Sequence, residues 1–235
     1  RLRSEANVDL RLRALATSRR MWLCDHGDPA DWRTRIAEEP QPADLDAITT
    51  HLLDSHLPHA VVIDCSASDS VAAQYPAWLA AGIHVITPNK HAGAGPLPRY
   101  AAIREARASS GARFRYEATV GAGLPVISTL RDLLDTGDEL VAVNGILSGT
   151  LAWLFNKFDG STPFSDLVRE AHALGYTEPD PRDDLSGMDV ARKLVILGRE
   201  AGMALSLEDV RVQGLVPEAL RDTDRDSFMA GLASL

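Results

Sequence analysis

The run GYTEPDPRDDLSGMDVARK, from Gly175 to Lys193, holds five carboxylates, two arginines and a lysine. If the second half is helical, Asp189 and Lys193 stand four positions apart and share a face. Most such pairs are solvated surface ion pairs of little value. The flanks here are different, because Val190, Ala191, Leu194, Val195 and Ile196 leave little room for a solvated face. A partly desolvated lysine beside a carboxylate can act as a general acid or polarise a carbonyl. Just upstream, Glu178, Asp180, Asp183 and Asp184 are placed to take the ammonium of an amino-acid substrate. A calcium loop is the rival use of these carboxylates. It ranks lower, because EPDPRDD lacks the alternating ligand spacing and central glycine of an EF-hand.

Three more stretches carry polar punctuation after apolar runs: DCSAS at Asp64 to Ser68, TPNK at Thr87 to Lys90, and EATVGAGLP at Glu117 to Pro125. In a parallel sheet the carboxyl ends of the strands face the ligand crevice. Lys90, pinned by Pro88, is placed to meet a phosphate or a carbonyl there, with an ordinary loop lysine as the even alternative. GAGLPV is not a dinucleotide loop, since Val126 takes the place of the third glycine and Pro125 interrupts the helix start. HAGAGPLP follows Lys90 rather than a strand. With no GxGxxG in the chain, a dinucleotide's phosphate loop is expected upstream of Arg1. The segment ATSRR closes an expected strand, and Arg19 and Arg20 there suit a 2′-phosphate, favouring NADP over NAD. A basic solvent turn is the alternative.

These groups need elements to position them. The pattern predicts a strand from Asp9 to Ala16 and a short one near Met21. One or two helices follow, with start signals at Asp28 and Asp44 and breaks at Pro40 and Pro42. HAVVIDCSAS, IHVITPN and RFRYEATV read as strands. DSVAAQYPAWLAAG and LPRYAAIREARASSG read as helices ending at Gly82 and Gly111. Strand, helix, strand, helix, strand makes a parallel α/β sheet. After Leu124 the character changes. LPVISTLRDLLDTG reads as an amphipathic helix, DELVAVNGILSG as a strand, TLAWLFNKFDG and PFSDLVREAHALG as helix or mixed, and SGMDVARKLVILGREAG as a strong helix. The expected architecture is α/β: residues 1–124 form an incomplete Rossmann-like parallel sheet that is a partial NAD(P)-binding domain. Residues 125–235 form an α+β substrate-binding and dimerisation domain.

Bulk composition narrows the function classes. The chain has 235 residues, 45% hydrophobic and 24% charged, with a formal net charge of -9. Such an acidic chain is a poor partner for nucleic acid or an anionic membrane. No apolar run approaches the roughly 20 residues of a membrane span. The start, RLRSEANVDLRLRAL, has no apolar signal region and no initiator Met, so a fragment or a processed chain is expected. Cys24 and Cys65 stand in no CxxC or Cys/His cluster, which argues against zinc. Cys65 is expected to be a buried thiol, and a cytoplasmic setting fits.

GYTEPDPRDDLSGMDVARKLVILGRE, TPNK, YEATVGAGLPVI and GILSGT, in this order and spacing, carry a family resemblance. The chain closely resembles homoserine dehydrogenase, especially the dehydrogenase half of bacterial bifunctional aspartokinase–homoserine dehydrogenases, truncated at both ends. The likeness is close from about Val61 to Gly202. It implies reduction of L-aspartate 4-semialdehyde to L-homoserine with NADP (or NAD), on the route to threonine and methionine. It implies Lys193 and Lys90 as catalytic, with Lys193 the proton donor. It implies Glu178 and Asp189 as substrate ligands with Asp184 in support, and Ser66, Gly175 and Lys90 at the cofactor. It also implies a monovalent cation (Na+ or K+) held by Glu117 and the carbonyls of Val120, Ala122 and Leu124, with glycines turning those carbonyls. A homodimer, and an aspartokinase domain fused in the parent protein, are implied too. The family's first strand, its glycine-rich loop and its returning C-terminal part are expected outside this stretch. The 235 residues alone are therefore expected to bind NADPH poorly. A non-catalytic dimerising scaffold and another amino-acid dehydrogenase of the same architecture stand as alternatives.

Overall fold

The computed structural model describes residues 2–27, 29–39, 41–53 and 58–232. In chain order the elements are α1 (Leu2–Glu5), β1 (Leu12–Ala16), β2 (Met21–Gly27), α2 (Trp32–Glu38), α3 (Leu45–Leu53), β3 (Val61–Ile63), α4 (Asp69–Ala72), α5 (Tyr75–Ala80) and β4 (His84–Ile86). Then come α6 (Lys90–Ala94), α7 (Leu97–Ser110), β5 (Phe114–Arg115), α8 (Val126–Asp135), α9 (Gly149–Lys157), α10 (Phe164–Ala173), α11 (Pro181–Leu185), α12 (Met188–Glu200) and α13 (Arg225–Gly231). The chain divides into two compact units. One comprises residues 1–64, 70–86 and 102–114, the other residues 65–69, 87–101 and 115–235.

In the first unit β3 pairs in parallel with β4, Val61 opposite His84 and Ile63 opposite Ile86. The strand order continues to β5. The N–H of Val85 donates to Arg113 carbonyl at 2.9 Å. This is the α/β sheet that the alternation of runs predicts. Beneath it Tyr75, Leu79, Ile83 and Val85 are fully buried. Trp78 donates its Nε1–H to Thr49 Oγ1 at 2.6 Å, and the buried Tyr75 hydroxyl donates to Asp64 Oδ2. Each polar tip is thereby satisfied where burial would otherwise make it costly. The expected single helix after Ser68 is two, α4 and α5. Pro76 sits at the start of α5, where its missing N–H is harmless, but it cannot continue a helix from α4.

Several expected elements change form. The strand expected from Asp9 begins at Leu12, and it pairs antiparallel with β2 in a separate two-stranded sheet. The ATSRR turn is thus a hairpin. The Thr17 hydroxyl oxygen accepts from the N–H of Arg19 and of Arg20 at 3.3 and 3.0 Å, the side-chain chemistry that favours threonine in turns. Asp44 starts α3 as expected, its Oδ1 accepting from the N–H of Asp46 and Ala47 at 2.9 and 3.0 Å. Asp28 and Pro40 lie outside the described residues. RFRYEATV is strand only at Phe114 and Arg115, and then turns as a 3-10 helix over Glu117–Thr119. The strand expected in DELVAVNGILSG does not form. Among the described residues no strand pairs with it to take its N–H and C=O groups, and Val141 and Ile146 are 95% and 76% exposed. Cys65 is exposed rather than buried, because β3 stops at Ile63 and the thiol falls in the loop beyond.

The second unit is built on helices. Leu154, Val168, Ala171, Leu185, Val216 and Phe228 form its buried cluster. On α12, Ala191, Val195 and Ile196 are buried, following the 3.6-residue period of the sequence. That buried stripe leaves Asp189 and Lys193 together on an adjacent edge.

Candidate active site

The acidic stretch before α12 is divided by helix chemistry. Asp180 caps α11, accepting from the N–H of Arg182 at 3.0 Å, and Pro181 takes the first helical position. Asp180 also pairs with Arg182, Nη2 to Oδ2 at 2.5 Å. Arg182 in turn donates to the carbonyls of Arg221 at 3.2 Å and of Thr223. Asp180 is therefore a structural carboxylate rather than a free ammonium ligand, a correction to the expectation from sequence. Gly187, at φ +76°, makes the sharp step from α11 into α12. A side chain would be strained in that conformation.

Asp184 faces the other way. Its Oδ1 lies 2.8 Å from the Thr150 hydroxyl at the start of α9, and its Oδ2 accepts from the N–H of Glu178 at 2.8 Å. Both oxygens are used to tie α9, α11 and the 176–178 loop together. Ser148 caps α9, its hydroxyl oxygen accepting from the N–H of Leu151 at 3.2 Å. Trp153 and Tyr176 meet edge to face, ring centroids 5.5 Å apart.

α6 brings Lys90 to the same place. Asn89 caps it, accepting from the N–H of His91 at 3.0 Å. The Lys90 Nζ then lies 3.2 Å from Asp189 Oδ1, while the Lys193 Nζ lies 2.6 Å from Asp189 Oδ2. Lys193 also donates to the Leu147 carbonyl at 2.6 Å. One carboxylate thus bridges two ammonium groups. Burial pushes the Asp189 carboxyl up, but the hydrogen bond and charge of Lys193 and the charge of Lys90 outweigh it and hold it below the usual carboxylate range.

A cavity of about 540 Å³ opens on these groups. It is lined by Lys90, Ser148, Gly149, Thr150, Trp153, Tyr176, Glu178, Asp184, Asp189 and Lys193. A cavity of equal volume elsewhere in this unit, lined by Phe158, Phe164, Val168 and their neighbours, carries no ionisable side chain. Chemistry that needs proton donors belongs to the first. Asp183 is not in its lining. Ser148, Thr150, Trp153 and Tyr176 were not picked out from the sequence. The only signal was local: a serine before a helix in GILSGT, and a tyrosine beside the glycine of GYT.

The other candidate residues are not in this lining. Ser66 is exposed, in a loop tied down where Asn89 Nδ2–H donates to Ser68 carbonyl at 2.9 Å and Arg99 forks onto Asp69 at 2.7 and 3.0 Å. Gly175, at φ +72°, ends α10 just before Tyr176. Arg19 and Arg20 are exposed on the hairpin of the first unit, and Arg20 donates to the Ala37 carbonyl. Glu117 caps α8, its carboxylate accepting from the N–H of Ile127 at 2.7 Å and of Ser128 at 3.0 Å. Gly121 and Ala122 after it are both left-handed, at φ +79° and +52°. Among the described residues no cluster of three or more His, Cys, Asp or Glu side chains is arranged for a metal, and no helix is long and apolar enough to cross a membrane.

The family described as "Homoserine dehydrogenase, NAD binding domain" matches residues 1–117, and that described as "Homoserine dehydrogenase" matches residues 125–231. The chain is 52% identical, over 99% of its length, to bifunctional aspartokinase/homoserine dehydrogenase 1, chloroplastic, of Zea mays, of which it covers 26%. It spans about a quarter of the length of the curated relatives it matches. A Candida auris protein of unknown function superposes with a TM-score of 0.87 at 36% identity, covering 97% of this chain and 67% of that one. A putative homoserine dehydrogenase from Archaeoglobus fulgidus does so with a TM-score of 0.73 at 26% identity, covering 96% of this chain and 67% of that one.

Proposed function

Since the chain belongs to the homoserine dehydrogenase family, we propose that it carries out the reduction of L-aspartate 4-semialdehyde to L-homoserine with NAD(P)H. The observation that carries this reading is the pair of lysine ammonium groups meeting at Asp189 on the wall of a polar cavity. Aldehyde reduction builds negative charge on the carbonyl oxygen and then needs a proton. NAD(P)H, when bound, supplies the hydride. Lys193 meets the developing alkoxide, stabilises it and delivers its proton. Lys90 adds a second positive charge beside the same oxygen. Asp189 holds both ammonium groups in place and is a carboxylate offered to the substrate. Glu178 takes the substrate ammonium, and Asp184 fixes the backbone that presents it.

Residues 1–124 form a partial NAD(P)-binding domain and residues 125–235 the substrate and dimerisation domain. Ser66, Gly175 and Lys90 contact the cofactor, with Arg19 and Arg20 for a 2′-phosphate. Their chemistry fits, since a hydroxyl and exposed guanidinium groups suit ribose and phosphate oxygens. The proposal includes a cytoplasmic homodimer in which a second copy covers Val141 and Ile146. It also includes an aspartokinase domain in the parent protein, as in the maize relative's name. Oxidation of NADPH by the purified chain, and by a longer chain extended at both ends, tests the reaction. Consumption that depends on aspartate semialdehyde is expected from the longer chain. None, from either, would favour a non-catalytic scaffold.

A monovalent cation belongs to the proposal. The donor set fits one: a single carboxylate, Glu117, with the neutral carbonyls of Val120, Ala122 and Leu124, gives too little charge for a divalent ion. Ala122 in the left-handed region is a strain that a ligand can offset. Sodium or potassium is expected to stabilise the fold saturably, by about 2.7 kcal/mol at a hundredfold excess over Kd. Thermal melts at constant ionic strength, with tetramethylammonium as the control salt, measure this. Equal melting in all three salts removes the site.

A further inference from the structure

We propose that Arg199 is a positioning residue for this chemistry: from the far end of α12 it sets where α6 lies, and so whether Lys90 reaches Asp189. This rests on the reductase reading for its functional meaning, but its geometry stands apart from it.

α6 is five residues long. A helix that short has little stability of its own in water and takes its position from what it packs against. Besides the Lys90–Asp189 pair, two contacts with α12 hold its far end. Gly93 lies against Ile196, so close that a Cβ on Gly93 would meet Ile196 Cγ1 at 2.9 Å. Beyond it, Arg199 is only 1% exposed. Its Nη1 donates to the carbonyls of Gly93 and Gly95 at 2.8 Å each, and its Nε donates to the Leu205 carbonyl at 2.7 Å. Carbonyls at a helix C-terminus lack partners within the helix and carry its negative end. The guanidinium supplies both the donors and the charge. Its plane is backed by the Tyr100 ring, 5.2 Å from the guanidinium carbon.

Arg199 does not line the cavity. From Lys193 to Arg199 is six residues of helix, about 9 Å. Its influence therefore passes through α6. Lys90 is the first residue of that helix, and its Nζ reaches Asp189 at 3.2 Å, so a small slide of α6 breaks the contact. Lys193 has its own anchors on α12 and at the Leu147 carbonyl, and does not share this dependence. The buried Arg199 Nη2 has no hydrogen-bond partner. Such a group is costly, which is consistent with an arginine kept for its other bonds rather than for general packing.

The chain's three lysines, Lys90, Lys157 and Lys193, make the test direct. Acylation by acetic anhydride, followed for each lysine by mass spectrometry, reports how well each amine is held. In the Arg199→Met variant of these 235 residues, Lys90 is expected to label several-fold faster while Lys157 and Lys193 keep their rates. In the chain extended at both ends, the aldehyde kcat is expected to fall about tenfold to a hundredfold, as misplacement of a reacting group by an ångström can cost. The aldehyde KM should stay within about twofold, because Glu178 and Asp184 are not on α6. Arg199→Lys, which keeps a donor, should recover part of both. Gly93→Ala, which moves α6 sterically with Arg199 intact, should reproduce the pattern and serves if Arg199→Met does not fold. Unchanged Lys90 labelling and kcat in a folded Arg199→Met or Gly93→Ala chain overturns the proposal, as does a uniform rise at all three lysines. If the wild-type chain extended at both ends reduces no aldehyde, the reductase reading fails while the labelling still decides the role of Arg199.

Discussion

Replacing Lys193 with alanine is expected to lower kcat for aldehyde reduction by about 10²–10⁴-fold while the fold persists. Lys193 is the best-held amine in the site, its Nζ 2.6 Å from both Asp189 Oδ2 and the Leu147 carbonyl. Only 15% of its side chain is exposed, so its charge acts through a medium less screening than water. The other ammonium, Lys90, is twice as exposed at 30% and lacks the second anchor that Lys193 has at the Leu147 carbonyl, so it is expected to make up only a small part of the loss. Truncation at Cβ removes an amphipathic side chain from the edge of α12, not from the buried stripe of Ala191, Val195 and Ile196, so circular dichroism should be unchanged. A steady-state assay with aspartate semialdehyde and NADPH, on the chain extended at both ends, measures the loss. Near-normal turnover would take Lys193 out of the mechanism.

Changing Asp189 to asparagine is expected to cost about 10²-fold in kcat/KM. The amide keeps the shape and can still accept a hydrogen bond, but it leaves Lys90 and Lys193 facing each other without the negative charge between them. One of them is then expected to swing away. The same change should alter how stability depends on pH. The native carboxyl lies below its usual range, against the pull of burial, because of Lys193 and Lys90. A depressed native value means a stabilising contribution that is complete above the unfolded value of about 3.9. It is lost as pH falls through the native value. Asp189→Asn removes this contribution at neutral pH, so the difference between the two proteins should be largest there and shrink under acid. With Asp189 about a third exposed, solvent screening keeps the effect modest. Urea melts of both proteins from pH 3 to pH 7 check it. A difference that does not change with pH would mean that the carboxylate's charge contributes nothing to the fold.

Much of the site's local chemistry is legible in the sequence. Asp189 and Lys193 pair because a helix of period 3.6 places residues four apart on one face, and the apolar residues around them say where that face lies. Asp44 before α3 and the glycines after α5 and α7 are equally local signals, since caps and left-handed turns depend on one side chain and its nearest backbone. Strands were less legible. DELVAVNGILSG has the composition of a strand but stays unpaired, and the run after Arg113 pairs for only two residues. A strand's hydrogen bonds lie outside itself, so whether it forms depends on a neighbour that composition does not reveal.

The carboxylates show the same division. Glu178, Asp180, Asp183 and Asp184 look alike in sequence, and their number and place before α12 are determined there. Their separate duties are not. Asp180 is turned to Arg182 by its position as the cap of α11, while Asp184 is taken up by Thr150 and by the N–H of Glu178. The meeting of Lys90 with Asp189, and the grip of Arg199 on α6, join segments distant in the chain. The sequence by itself determined which residues can carry charge and protons and which helices present them. Only the tertiary structure decided which of those charges share a carboxylate, because that depends on how two helices pack, a contact between distant residues that no local pattern records.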